Sequence, residues 1–250
     1  MGSEGGPART SRAGEADLRL GRWQDVLQDV EPDVIITDPP YSARTHGAYR
    51  AMAEVGRREI NYGEFDQGAV HAFVESWAPR TKGWFVALTD HVLAPHWEAA
   101  LEAAGRYVFS PIACMEPGAR VRLSGDGPAQ WTCWAIVARP KTRAAQKWGA
   151  LPGGYVVPAN EGWRAGARNG VMGSKPLWLM RALVRDYSRA GDLVCDPTAG
   201  GGTTLLAALT ERRRAVGAEC LPAHYELAQR RLSRGFTPTF DFDTNDAGGA

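Results

Sequence analysis

Ala190-Gly191-Asp192-Leu193-Val194-Cys195-Asp196-Pro197-Thr198-Ala199-Gly200-Gly201-Gly202-Thr203-Thr204, running on into Leu205-Leu206-Ala207-Ala208-Leu209, reads as one strand-turn-helix unit. Leu193 to Cys195 forms a short buried strand, the glycines make a turn, and a helix opens near Thr203. Glycine lets backbone approach a ligand without a Cβ clash, and the first amides of a helix have no partner inside it. Gly200-Gly201-Gly202 does not fit the spacing G-x-G-x-x-G, and no lysine of the Walker type follows. A second apolar strand, Ala215-Val216-Gly217-Ala218, ends in Glu219. An acid at that place in a βαβ unit suits the hydroxyls of a ribose.

A second constellation lies far upstream. The apolar run Val34-Ile35-Ile36-Thr37 leads directly into Asp38-Pro39-Pro40-Tyr41. Proline fixes φ and donates no N–H, so this corner is stiff. It can present the Asp38 carboxylate and the Pro39 carbonyl to an amino group, with the Tyr41 ring available for stacking on a flat ligand. Such a pocket suits an exocyclic –NH2 of a nucleobase held for attack on an electrophile.

The two constellations together resemble the S-adenosylmethionine-dependent DNA amino-methyltransferases, which modify adenine N6 or cytosine N4. Asp38-Pro39-Pro40-Tyr41 is similar to their catalytic motif, and Asp196-Pro197-Thr198-Ala199-Gly200-Gly201-Gly202-Thr203-Thr204 to their cofactor turn. Catalytic motif first and cofactor motif last is the circularly permuted order of the beta class. Ser174-Lys175-Pro176-Leu177 and Tyr225 to Leu232 resemble further motifs of that class, so the likeness covers roughly 17–139 and 170–234. It implies S-adenosylmethionine as cofactor, held by Lys175, Asp196, Pro197, Thr198, Ala199, Gly200, Gly202, Thr203 and Glu219. One departure is evident. Where relatives carry Gly-Asp early in the chain, this sequence has Leu20-Gly21-Arg22-Trp23, with Arg22 in place of the acid: either Asp25 or the ring of Trp23 meets the adenosine, or adenosine binding is weaker. An acid at the head of the catalytic motif favours adenine N6 of a flipped-out base in DNA. Cytosine N4, RNA, a glutamine amide and a catalytically silent cofactor-binding subunit stay open as alternatives. Relatives of this class often dimerise, and a cognate restriction enzyme or a partner subunit is equally open.

Composition bounds the rest. The 250 residues suffice for one sizeable α/β domain. Twenty-nine Lys+Arg against 28 Asp+Glu leave a net charge of +1, so a nucleic-acid face has to be local. Four cysteines without a C-x-x-C pair argue against a zinc knuckle or a disulfide framework, and no metal is expected. They read as small buried residues in a reducing compartment. No apolar stretch approaches about 18 residues, and a cytoplasmic protein is expected.

The expected fold is α/β, a doubly wound, mostly parallel Rossmann-like sheet. Segment 1–16 is expected to be disordered, 17–235 a single methyltransferase domain with binding loops at about 42–66 and 140–170, and 236–250 a loose tail. Strands are expected at Leu18–Leu20, Val34–Thr37, Trp84–Leu88, Tyr107–Met115 and Trp131–Ala138, and helices over Trp23–Val30, Val70–Trp77, Leu93–Ala104, Leu177–Ser188 and Ala223–Leu232. Ligands bind beyond the carboxyl ends of strands in such sheets, which places Asp38, Asp196 and Glu219 on one edge. Arg44, Arg50, Arg57 and Arg58 follow the catalytic strand and are candidates for phosphate contact. Trp148 and Trp163 lie among basic residues and are weaker nucleic-acid candidates. Arg212-Arg213-Arg214 reads as a helix end favourable to the macrodipole. Trp84, Trp131 and Trp134 read as core.

Overall fold

The computed structural model describes residues 16–45, 65–118, 128–142, 148–161 and 174–234. Arg50, Arg57, Arg58 and Trp163 lie outside them, as do both terminal segments. The described strands are β1 (Ala16–Leu20), β2 (Val34–Thr37), β3 (Phe85–Thr89), β4 (Arg106–Val108), β5 (Ile112–Met115), β6 (Thr132–Pro140), β7 (Gly154–Val156), β8 (Leu193–Asp196) and β9 (Arg214–Glu219). The helices are α1 (Trp23–Val26), α2 (Gln67–Trp77), α3 (Ala94–Ala103), α4 (Leu177–Tyr187), α5 (Thr203–Thr210) and α6 (Pro222–Arg234).

One sheet runs β1-β9-β8-β2-β3-β6-β5-β7, with β4 also paired to β6. From β1 to β3 every pairing is parallel; β6 enters antiparallel to β3, β4 and β5. Parallel strands covered on both faces read as continuous apolar runs, and β2 and β3 are buried at every position. Their side chains alternate between two cores. Val34, Ile36, Val86 and Leu88 meet α4 and α5 on one face. Ile35, Phe85 and Ala87 meet Phe73, Trp77 and Trp97 of α2 and α3 on the other. The strand order is neither sequential nor accidental: β8, far along the chain, pairs with β2 through Val34↔Val194 and Ile35↔Cys195. The last residue of β2 and the last of β8 therefore emerge side by side.

The expected doubly wound, mostly parallel sheet is what the chain adopts. Four local expectations need correction. Helix α1 stops at Val26 and not at Val30. The stretch 107–115 is split in two: Val108 faces Ala138 whereas Ile112 faces Ala135, so one extra residue bulges near Pro111. Proline cannot donate to the ladder there. Strand β7 was not expected, because three residues behind a Gly-Gly pair carry no readable period; they pair in parallel with β5. Trp131, read as core, lies just before β6 and is 42% exposed.

Gly217, in the middle of β9, has no room for a side chain. An added Cβ would stand 2.7 Å from the Asp196 carbonyl oxygen and 3.2 Å from both Ala199 and Leu205. Gly217→Val is expected to destabilise the fold by about 3 kcal/mol through overpacking, read as a lowered denaturant midpoint, and to open the turn behind Asp196.

Candidate active site

Thr37, the last residue of β2, joins the two motifs. Its hydroxyl donates to Asp196 Oδ1 at 2.7 Å and lies 2.8 Å from the Thr198 hydroxyl. The backbone N–H of Thr198 reaches the same carboxylate oxygen at 3.1 Å. Asp38, one residue beyond Thr37, thus stands beside the turn that carries Asp196. Two segments about 160 positions apart converge on one edge because parallel β2 and β8 are neighbours.

Asp196 is buried, and burial pushes its carboxyl up from 3.8 to about 6, although Thr204, Thr37 and the Thr198 amide favour the ionised form. A carboxylate this poorly hydrated is poised to receive a cation. Around it Ala199 accepts from Gly202 N–H at 2.7 Å, and Gly202 has φ of 74°, where glycine is favoured. Its missing Cβ would lie 3.1 Å from Ala228 of α6. Arg231 of α6 donates to the Gly201 carbonyl and, at 3.1 Å, to the Thr203 hydroxyl, which pins the turn from behind. Thr203 and Thr204 are buried, and neither caps α5. Glu219 ends β9; one of its oxygens takes the Leu221 N–H at 2.7 Å, which fixes the carboxylate at the same edge. Gly21, at the end of β1, donates its N–H to the Glu219 carbonyl at 2.9 Å. Arg22 and Asp25 are exposed there, and Trp23 turns its ring to Phe73, 5.3 Å between centroids, and to Trp77.

On the acceptor side Lys175 grips Asp38, its ammonium 2.6 Å and 2.7 Å from the two carboxylate oxygens. The same ammonium sits 4.7 Å from the centre of the Tyr41 ring. Lys175 was expected on the cofactor side; its charge lies at the head of the catalytic motif. The corner after Tyr41 is anchored by Asp90, at the end of β3, which sequence reading missed. Asp90 Oδ2 accepts from Ser42 N–H at 3.1 Å and from the hydroxyls of Ser42 and Thr45 at 2.5 Å. Oδ1 accepts from the amides of Val92 and Leu93. Burial opposes its ionisation, yet these bonds outweigh burial and hold the carboxyl below the ordinary range. Stability from such a group is present above its unfolded pKa and is lost as pH falls through the folded one. Asp90→Ala is expected to cost about 3 kcal/mol at neutral pH in chemical denaturation, with the loss shrinking in acid.

Other candidates divide. Arg44 is exposed one turn beyond Tyr41. Trp148 packs edge-on against Trp84 at 5.7 Å with the Arg189 guanidinium 3.8 Å over its ring, so neighbouring side chains occupy part of its surface and leave it half-buried. Arg213 donates to the Ser188 hydroxyl and carbonyl at 2.8 Å, a structural tie. Among the described residues no cluster of metal-ligating side chains occurs, and no helix is long and apolar enough to cross a membrane.

Residues 155–230 match the sequence profile of the N6/N4 family described as DNA methylase. Over that stretch the chain is similar to the N6/N4 DNA methylases. Against the putative methylase YubD of Escherichia coli (strain K12) it is 32% identical over 101 residues, which cover 40% of this chain and 41% of that protein. It thus spans less than half of the curated relative it matches. The fold is that of M1.HpyAVI in complex with SAM, with a TM-score of 0.63 at 20% identity over 87% of this chain and 99% of the other. The cytosine-N4-specific PvuII DNA methyltransferase superposes with a TM-score of 0.60 at 15% identity, over 85% and 84% of the two chains.

Proposed function

We propose that this protein transfers a methyl group from S-adenosylmethionine to the exocyclic N6 of an adenine flipped out of DNA. The observation that supports the reading is the Thr37 bridge, which ties the strand end that carries Asp38 to the glycine-lined turn that carries Asp196.

The residues fit the cofactor. The desolvated Asp196 carboxylate suits an α-ammonium, and Glu219, at the end of the next strand, suits a ribose diol. The Thr198 to Gly202 backbone, free of side chains at its glycines, suits close wrapping. Bound there, S-adenosylmethionine supplies an electrophilic methyl on a sulfonium. The acceptor is the harder problem, because an aromatic amine delocalises its lone pair into the ring. Asp38 and the Pro39 carbonyl take the two N–H groups, which pyramidalises the nitrogen and turns its lone pair toward the donor. Asp38 also stabilises the positive charge that grows on that nitrogen. Pro40 keeps the corner rigid, so little reorganisation accompanies the reaction, and Tyr41 stacks on the extruded base. The target amine takes the place on Asp38 that the Lys175 ammonium holds.

An acid in first position favours adenine over cytosine. The likeness to the cytosine-N4 enzyme concerns the fold and does not decide the base. Incubation with labelled S-adenosylmethionine and unmodified DNA or RNA, followed by digestion to nucleosides and mass identification, tests the reading. N6-methyladenine from DNA is expected. N4-methylcytosine, an RNA product or no labelled nucleoside would each overturn it.

A further inference from the structure

The acceptor pocket is filled by one of the protein's own side chains. The Lys175 ammonium lies 2.6 Å and 2.7 Å from the two Asp38 oxygens and 4.7 Å from the centre of the Tyr41 ring. It stands where the target amine is to be held, against the same carboxylate and the same aromatic ring. The pair is well enclosed, with 9% of the lysine side chain and 21% of the aspartate side chain exposed. A neutral base amine brings no charge to replace this ion pair, and an ammonium stripped of its partner in an enclosed place is costly. Opening the pocket therefore requires a second anion for Lys175. The acids described at this edge are otherwise engaged. Asp90 receives Ser42, Thr45, Val92 and Leu93, Asp196 Oδ1 receives Thr37 and Thr198, and Glu219 ends β9, two strands away from Asp38.

We infer that Lys175 is a latch on the acceptor pocket: its ammonium holds the place of the target amine on Asp38 and Tyr41 until the α-carboxylate of S-adenosylmethionine draws it away, so a base enters only after the cofactor. The inference rests on the methyltransferase reading and adds the order of events to it. The backbone around Lys175 is fixed. Pro176, the N-cap of α4, accepts the Met180 N–H at 3.2 Å. Helix α4 packs through Leu179, Met180 and Leu183 into the same core as Leu205, Ala207 and Ala208 of α5, the helix that opens from the cofactor turn. From this fixed base a flexible four-carbon stem carries the charge. On the donor side Thr37 ties the strand of Asp38 to Asp196, whose carboxylate suits the cofactor's α-ammonium. The α-carboxylate is borne by the same carbon and calls for a cation. Arg231 is committed to the Gly201 carbonyl and the Thr203 hydroxyl behind the turn. Once Lys175 turns to that carboxylate, both Asp38 oxygens and the Tyr41 ring are open to a base, and a bound base blocks its return. Cofactor and base thereby favour each other's binding, by the same factor in both directions.

The test follows the ammonium itself. The chain has four lysines, and Lys82→Arg, Lys141→Arg and Lys147→Arg together leave Lys175 as the sole one for NMR of its isotopically labelled ammonium nitrogen. S-adenosylhomocysteine, which carries the carboxylate and has no methyl to transfer, is compared at saturation with its decarboxylated analogue, which keeps the ammonium and lacks only the carboxylate. Calorimetry establishes that each is bound. The Lys175 signal is expected to shift with S-adenosylhomocysteine and to stay in place with the analogue. Deoxyadenosine, which has no phosphate of its own to attract a lysine, is expected to bind about tenfold or more tightly beside S-adenosylhomocysteine than beside the analogue, within the usual range of coupling between sites. Lys175→Met is expected to close that gap by raising affinity beside the analogue. A signal that moves with both ligands or with neither would overturn the latch, as would a Lys175→Met chain that binds deoxyadenosine more weakly in both arms. Failure of S-adenosylhomocysteine to bind at all would overturn the methyltransferase reading, and the latch with it.

Discussion

Asp38→Ala is expected to lower the single-turnover rate of methyl transfer about a thousandfold or more, corresponding to roughly 4 kcal/mol of transition-state stabilisation, while S-adenosylmethionine still binds. The carboxylate is the group on which the nucleophile's lone pair and its developing charge both depend. The variant also strands Lys175, whose ammonium holds both carboxylate oxygens in a largely enclosed place. A buried charge without its partner destabilises a fold by several kcal/mol, here discounted because Asp38 keeps 21% of its side chain exposed. Activity loss and unfolding must therefore be separated. Asp38→Ala combined with Lys175→Met removes the stranded charge; it is expected to regain thermal stability and to stay inactive. A double variant that regained transfer along with stability would show that Asp38 acts only as the partner of Lys175.

The second large effect is a pH dependence of cofactor affinity centred on Asp196. Burial raises its carboxyl to about 6. A folded pKa above the unfolded value of 3.8 gives a contribution to stability that is present below about pH 4 and lost as pH rises through about 6. The ligand-free protein is thus expected to lose about 3 kcal/mol over that interval from this one group, seen as a falling unfolding midpoint once the opposing gain from Asp90 is removed with Asp90→Ala. A bound α-ammonium reverses the preference by pairing with the ionised form. Affinity for S-adenosylmethionine is accordingly expected to rise as pH climbs from 5 to 7, by up to about tenfold per unit below the pKa, with protons released on binding at pH 5. Calorimetry in buffers of different ionisation enthalpy reads both. Asp196→Asn is expected to flatten the profile and weaken binding; a flat profile in the unaltered protein would remove Asp196 from the cofactor's ammonium.

Both effects depend on features that sequence exposed unevenly. The runs Val34–Thr37 and Leu193–Cys195 were legible because buried parallel strands are apolar at every position, and the residues ending them announced themselves by being acids, prolines and glycines. That their ends share one edge was an inference from the general placement of ligands in such sheets; that the two strands are direct neighbours, as Val34↔Val194 shows, was not legible. What stayed hidden was pairwise and tertiary. Thr37 looked like the end of a strand, and only the neighbouring turn makes its hydroxyl a bridge. Asp90 has no motif around it; its importance lies in receiving Ser42 and Thr45 from 45 to 48 positions away. The pairing of Lys175 with Asp38 was not legible either, since a flexible four-carbon stem leaves its charge undetermined by sequence position. Cys114 and Cys133 became neighbours through antiparallel register, which spacing along the chain does not encode. Trp131 misled because an aromatic next to a strand reads as core whether or not a layer covers it.

The claim that everything rests on is that acceptor pocket and donor cradle are halves of one site. It is tested most directly with an adenosylmethionine analogue whose reacting sulfur position is joined by a short linker to the N6 of adenine, its affinity measured by calorimetry against that of S-adenosylmethionine alone. Joined halves of a single site are expected to bind at least about tenfold tighter than the donor half, since the second contact is made without a second loss of freedom, and Asp38→Ala is expected to abolish that gain. A conjugate that binds no better than S-adenosylmethionine would contradict the account.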